Sequence, residues 1–253
     1  LQEIVLPLFD SIPLDEQPSS IVDMGSGDGT LLADLFCAIR EKTLRGRSLK
    51  SFPLAIVGAE YNKASCESTR EALERAGIDY SFVIHGDIGA PETLARDLSN
   101  IGIDPSDALH VSKSVIHNRT YKTPGNTERL LKWEPLSTGP FVSKDGFRIG
   151  RREIECNLVE LFEDWKPFVQ RHGMVVIEAH TVAPRFTCLT AGRNIITCME
   201  ATHGYSGQYL MEYDAFLRAV NEAGYESRGF AALSGMSFGS PTLTINHFFP
   251  LRP

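Results

Sequence analysis

No apolar run in the chain approaches the roughly 20 residues that a membrane-spanning helix needs, and the N-terminus shows no secretory pattern. A membrane is therefore not an expected partner. Basic residues are in the minority: 25 Lys and Arg face 32 Asp and Glu, leaving a formal charge of −7. Such a surface argues against wrapping a phosphate backbone, so nucleic acid is not expected either. Small acidic substrates stay compatible if the site itself holds a cation. Cysteine is scarce: Cys37, Cys66, Cys156, Cys188 and Cys198 make an odd number without CxxC spacing. That pattern fits reduced, mostly buried thiols in a cytoplasmic protein. Internal repeats and low-complexity tracts are absent. The chain starts at Leu1 rather than Met, as expected of an excised domain or a trimmed chain.

What is present is 253 residues with 42% hydrophobic and 23% charged composition, enough core for one large α/β domain. Short apolar runs alternate with longer helical patterns, which predicts βαβ units around a parallel sheet. The strands read as SSIVDM (19–24), PLAIVGAE (53–60), YSFVIHGDI (80–88), DALHVSKSVI (107–116) and MVVIEAHTV (174–182). Helical patterns follow them, among them NKASCESTREALERAG (62–77), with Asn62 as its N-cap. The last two runs, YESRGFAAL (225–233) and LTINHFFP (243–250), have no helix between them and are predicted to pair as an antiparallel hairpin. The expectation is a single Rossmann-like α/β domain over 1–253, with helices on both faces of a seven-stranded, mostly parallel sheet. Residues 1–18 read as a helical segment. The stretch 120–150 breaks the rhythm with Pro124, Gly125, Pro135, Gly139 and Pro140, and holds a small hairpin turning at Asp145-Gly146. Inserted after the fourth strand, it reads as a lid over the ligand crevice, with a plain surface excursion as the alternative.

The turn from first strand to first helix, VDMGSGDGT, holds Gly25, Gly27 and Gly29. Glycines let backbone approach a ligand closely, and the helix start offers free N–H groups. By itself this turn is also compatible with dehydrogenases and other nucleotide binders. The acids narrow it. Asp23 at the strand end and Asp28 inside the turn would repel a pyrophosphate but suit a ligand with a cationic amino-acid portion. Glu60 ends the second strand, where a carboxylate takes both ribose hydroxyls. It lies 31 positions after Gly29, beyond the usual spacing of about 20, and the segment TLRGRSLKSF (43–52) reads as a loop that absorbs the surplus. Asp87, ending the third strand, is placed to meet an adenine amino group.

Through VDMGSGDG, GAEYN, HGDI and the strand count, the chain resembles a class I S-adenosylmethionine-dependent methyltransferase from about residue 20 onward. The resemblance implies S-adenosylmethionine seated against Asp23, Gly25, Gly27, Asp28, Gly29, Glu60, Tyr61, Asp87 and Ile88.

The fourth strand runs out into SVIHNRTY (114–121), which packs His117, Asn118, Arg119 and Tyr121 into five positions. Strand ends are where α/β sheets usually meet their ligands. A second dense patch, ATHGYSGQYLME (201–212), follows the fifth strand, and there four residues separate His203 from Gln208. A neutral imidazole and an amide oxygen make a workable donor pair for Fe(II) or Mn(II), and His117 would complete three ligands with positions left open. A hydrogen-bonding loop histidine is the plainer reading of His203.

Together, KSVIHNRTY, VVIEAHTV and ATHGYSGQYLMEYDAFL look like the metal-dependent C-methyltransferase domains of bacterial modular polyketide synthases, of the apratoxin loading-module type. That resemblance implies a mononuclear Fe(II) or Mn(II) on His117, His203 and Gln208, with His180 and Glu178 in reserve. It implies a malonyl- or methylmalonyl-type acyl group on an acyl carrier protein, presented by its phosphopantetheine arm among neighbouring synthase domains. The metal would stabilise the enolate as a Lewis acid. Arg119 would steady the substrate carboxylate or the arm, or form a structural ion pair. Tyr121 would donate a hydrogen bond or close the site. Two other readings stay open: a metal-free O- or N-methyltransferase using His117 or His180 as general base, and a degenerate cofactor-binding scaffold domain. His85, His110, His172 and His247 read as structural or surface residues.

Overall fold

Two periodicities build the fold, the period of two along buried strands and the period of 3.6 along helices. The computed structural model describes residues 1–10, 13–189, 192–193, 207–234 and 240–251. Its strands are β1 (Ser20–Met24), β2 (Ala55–Glu60), β3 (Ser81–His85), β4 (Ala108–Lys113), β5 (Phe141–Val142), β6 (Arg148–Ile149), β7 (Met174–Ala179), β8 (Tyr225–Ser234) and β9 (Pro241–Pro250). Seven of them form one sheet in the order β3-β2-β1-β4-β7-β9-β8, while β5 and β6 pair separately. Strands β1 to β4 and β7 run parallel, and β9 lies antiparallel between β7 and β8. This is the expected sheet, with the final hairpin closing one edge.

Alternation along each strand feeds two cores. Ile21, Ile56, Leu109 and Val175 face one side, packed against the helices α2 (Thr30–Lys42) and α4 (Lys63–Arg75), whose Leu35 and Leu73 are buried there. The N-terminal segment, a short α1 (Gln2–Val5) and a 3₁₀ turn, seals that face with Val5 and Phe9. Val22, Val57, Val176 and Phe248 face the other side, against α5 (Pro91–Asn100), α7 (Arg151–Trp165) and the helix Tyr213–Glu222, while α6 (Thr127–Lys132) lies in the insertion between α5 and α7. Helices therefore cover both faces, as a sheet of buried parallel strands requires.

Local signals hold in most places. Asn62 caps α4 by accepting from Ala64 N at 2.9 Å, and the hairpin β5–β6 turns through Gly146 at φ 81°. One expected loop does not appear: within 43–52, Thr43 caps a short helix, α3 (Leu44–Arg47). The cause is Arg45, which is buried and donates to the Gln17 and Pro18 carbonyls, pulling its turn against the body. The cysteines differ as well. Cys37, Cys66, Cys156 and Cys188 are free as expected, but only Cys156 is buried; Cys198 lies outside the described residues.

Carboxylates of α7 anchor the insertion after β4: Glu160 accepts from Gly125 N and Asn126 N, Glu163 pairs with Arg129, and a third is buried. Glu155, on α7 and fully buried, accepts from Trp133 Nε1 at 2.8 Å, Ser137 N at 2.7 Å and Leu136 N at 3.3 Å. Replacing it strands three donors away from water. We expect Glu155→Ala to cost about 3 kcal/mol of stability in urea unfolding. A loss below about 1 kcal/mol would show that the insertion is not fastened there.

Candidate active site

Strand order reverses between β1 and β4, and in open α/β sheets ligands bind outside the strand ends at such a point. Here the cleft is lined on one side by Gly25, Glu60, Tyr61, Gly86, Asp87 and Ile88. Val115, Asn118, Thr120 and Lys144 line the other. The first group carries five of the nine residues expected to touch the cofactor.

The glycine turn is shaped by close contacts. Gly25 has φ 78°, and a Cβ there would lie 2.3 Å from Val115 Cγ2. Gly29 has φ 77°, and a Cβ there would meet Thr69 Cα at 2.8 Å. No other residue type satisfies both the left-handed backbone and the contact. Thr69 of α4 then ties the turn down, donating to Gly27 O and sharing a 2.9 Å hydrogen bond with Ser26. Glu60 braces it from β2: one carboxylate oxygen accepts from Gly27 N and the other from Asn62 N, both at 3.0 Å. Asp87 accepts from Gly89 N at 2.8 Å, and Trp165 Nε1 holds Ile88 O at 2.9 Å, fixing the wall after β3. Tyr61 is exposed at the rim, its ring tilted over His85.

The two acids flanking the turn part company. Asp28 is exposed and accepts from Thr30 N at the start of α2, a bond that holds its carboxyl below the usual range. That is a helix-start role. Asp23 is buried, and its Oδ1 has no hydrogen-bond partner among the described residues. Burial pushes its carboxyl up to about 8, against the pull of Lys113 and with a smaller push from Glu60. An unsatisfied buried carboxyl beside the glycine turn is what a cationic ligand group would complete.

At the end of β4 the backbone is strained. Ser114 has φ 55°, held by its N–H to Ile177 O at 2.8 Å and by Asn118 Nδ2 donating to its carbonyl at 3.1 Å. The 3₁₀ turn that follows, Ile116–Asn118, closes on Glu178 at the end of β7. This buried carboxylate accepts from Ile116 N at 3.1 Å, His117 N at 3.3 Å and Ala179 N at 2.8 Å. It also pairs with His117 Nδ1. An acceptor so surrounded by N–H groups makes Nδ1 the donor, which leaves the lone pair on His117 Nε2. Glu178, expected only as a reserve metal ligand, is the partner of His117.

Other expected site residues have different surroundings. Arg119 is buried, and Nε, Nη1 and Nη2 donate to Asn157 Oδ1, Ile116 O and Ile154 O at 2.7, 3.0 and 3.2 Å. Burial lowers its guanidinium to about 10, and the geometry fastens the β4 turn to α7. His180 is buried against Thr244, Tyr213 and Phe216, and burial depresses it to about 4. Tyr121 packs edge-on to Tyr209. Gln208 is half-buried next to Tyr209, whose N–H donates to His117 O at 2.7 Å. His203 lies outside the described residues.

The fit to a metal is partial. A histidine braced by a carboxylate is the arrangement usual behind metal-bound imidazole, and Gln208 is adjacent in the chain to the residue bonded to His117. Among the described residues, however, there is no group of three or more His, Cys, Asp or Glu that could hold an ion. Lys144 and Val115 are among the cleft residues that sequence reasoning missed, with Met24, Gly86 and Thr120. Neither Lys144 nor Val115 carries a local signal, since a lysine in a hairpin turn ordinarily points to solvent.

The linkage at Asp23 can be measured. Its folded value stands above the ordinary 3.8, so the folded cofactor-free state keeps a proton that the unfolded chain has released. Stability therefore falls as pH rises from about 4 to about 8. Asp23→Asn is expected to raise the melting temperature of the cofactor-free protein, and by more at pH 8.5 than at pH 4.5. A difference independent of pH would place the carboxyl in contact with solvent.

Comparison with curated proteins gives no match. Among solved structures, geranyl diphosphate methyltransferase in complex with S-adenosylmethionine superposes with a TM-score of 0.53 at 11% identity, over 99% of this chain and 84% of that one. Its complex with geranyl diphosphate and sinefungin gives 0.53 and 11%, over 98% and 77%. The mitomycin 7-O-methyltransferase structure, at 14% identity and a TM-score of 0.48, covers 92% of this chain, which spans only 49% of its length. Likeness at this distance shows the fold. The family model of the AprA MT2-like domain matches residues 1–232. The chain thus belongs to the AprA MT2-like methyltransferase domains, and is a class I S-adenosylmethionine-dependent methyltransferase.

Proposed function

We propose that this domain methylates carbon: the acceptor is the carbon between the two carbonyls of a malonyl- or methylmalonyl-type acyl group on an acyl carrier protein. The observation that carries the reading is the His117–Glu178 pair at the mouth of β4 and β7, next to the cofactor cleft. Family membership and the resemblance of KSVIHNRTY and ATHGYSGQYLME to polyketide synthase domains support the acyl substrate and the synthase setting.

In this reading the acidic carbon gives its proton to His117 Nε2. Glu178 holds the ring in the required tautomer and stabilises the imidazolium that forms. The carbanion, delocalised as an enolate over the two carbonyl oxygens, attacks the sulfonium methyl. A carbon–carbon bond forms, the carbon–sulfur bond breaks, and S-adenosylhomocysteine leaves with the sulfur electron pair. Glu60 and Asp87 hold the ribose and adenine, and Asp23 faces the cationic amino-acid portion, so the methyl lies in line with the nucleophile. A bound Fe(II) or Mn(II), held by His117 and Gln208 together with His203, would occupy that same Nε2 lone pair and would supply Lewis-acid stabilisation of the enolate in place of the general base.

Four measurements test this. Glu60→Ala is expected to weaken S-adenosylmethionine binding by about 10- to 100-fold in calorimetry, because a ribose partner and the brace on Gly27 are lost together. Unchanged affinity removes Glu60 from the site. His117→Ala should lower kcat by about 10²- to 10⁴-fold while cofactor affinity stays within about twofold. Mass spectrometry of methylmalonyl carrier protein should show one methyl added on carbon. Products methylated only on oxygen or nitrogen would replace the carbon reading with the small-molecule one. Full activity in excess chelator would remove the metal and keep the general base.

A further inference from the structure

The side chain of Lys144 is not part of the Rossmann-like body. It comes from the turn of the β5–β6 hairpin, yet it lines the cofactor cleft beside Asn118 and Thr120. Its stem crosses Gly207, where a side chain would come within 2.9 Å of Lys144 Cγ. Two residues further on, Tyr209 N donates to His117 O. Lys144 is thereby brought to the His117 side of the cleft, opposite Glu60 and Asp87. Those two acids already accept from backbone N–H groups, Glu60 from Gly27 and Asn62 and Asp87 from Gly89. Among the described residues no acid pairs with the Lys144 ammonium. This differs from the other lysines of the insertion, since Lys122 donates to Gly89 O and Lys132 pairs with Glu128.

A cation at this position has a chemical consequence. The methyl donor is a sulfonium, so an ammonium in the same cleft adds like-charge repulsion unless an anion lies with it. An amine substrate would add a third positive group, and a simple alcohol would leave two cations facing each other. An acyl group bearing its own carboxylate supplies the missing charge where the acceptor carbon sits.

Resting on the carbon-methylation reading above, we propose that Lys144 is the specificity-determining residue that binds the free carboxylate of the acyl substrate. The domain is thereby selective for carboxylate-bearing over neutral 1,3-dicarbonyl thioesters. The hairpin that carries Lys144 is thus part of the substrate site.

The test compares two carrier proteins with identical phosphopantetheine arms, one loaded with methylmalonyl and one with neutral acetoacetyl. Wild-type protein should prefer methylmalonyl. Lys144→Gln should lower kcat/KM on methylmalonyl by about 10- to 100-fold, the scale of a lost charge-assisted hydrogen bond. It should leave acetoacetyl within about threefold and the affinity for S-adenosylmethionine within about twofold. Lys144→Arg should restore most of the preference, and Arg148→Gln, elsewhere on the hairpin, should leave both rates unchanged. Equal loss on both carriers would assign Lys144 to the arm phosphate and overturn the proposal. Weakened cofactor binding would assign it to the cofactor carboxylate, and unchanged rates would remove it from the site. Wild-type protein that methylates neither carrier on carbon overturns the carbon reading itself, whereas carbon methylation without a Lys144 effect overturns only this inference.

Discussion

The site depends on one buried carboxylate. Glu178 ends β7, but it accepts from Ile116 N, His117 N and His117 Nδ1 at the end of β4, and from its neighbour Ala179 N. Buried N–H groups must find acceptors, and here a single side chain serves three backbone donors and one ring. That fixes the turn after β4, and with it the direction in which His117 presents Nε2. Burying a carboxylate is costly unless it is surrounded by donors. The same four contacts that offset the cost also orient the histidine, so folding and chemistry share one constraint.

The cofactor side is joined to this arrangement through Gly25. Because it lacks a Cβ, Val115 from the β4 turn packs directly onto the glycine turn. The glycine turn and the β4 turn therefore meet at one contact, with Ser114 in a strained conformation just before it. Strain of this kind persists only where surroundings over-determine it. Here Ile177 O, the Asn118 side chain and the Glu178 clamp all bear on the same few residues.

Much of the fold was legible because its signals are local. Val- and Ile-rich runs with short spacers specify strands, Asn62 specifies a helix start, and Asp145-Gly146 specifies a hairpin turn. The glycine turn with Glu60 and Asp87 was legible for the same reason: each sits at a strand end. What stayed hidden is non-local. His117 and Glu178 are 61 positions apart, and nothing in either segment announces their pairing. Arg119 read as a substrate anchor or a structural ion pair, and the structure instead gives its three nitrogens neutral acceptors from α7 and from its own turn. The short helix α3 was missed because its cause, the burial of Arg45 against the Gln17 and Pro18 carbonyls, lies nearly 30 residues upstream. Lys144 was missed because its position over the cleft depends on an insertion whose anchors, Glu155 among them, come later in the chain.

The central claim is that His117 Nε2, set by Glu178, takes the proton from the acceptor carbon. Solvent exchange observes that step without methyl transfer. Methylmalonyl carrier protein is incubated in D₂O with the protein and S-adenosylhomocysteine, and deuterium at the acceptor carbon is followed by mass spectrometry. The account predicts exchange well above the protein-free rate with wild-type protein, and a return to that rate with His117→Ala while S-adenosylhomocysteine remains bound. Equal exchange in the two proteins would contradict it.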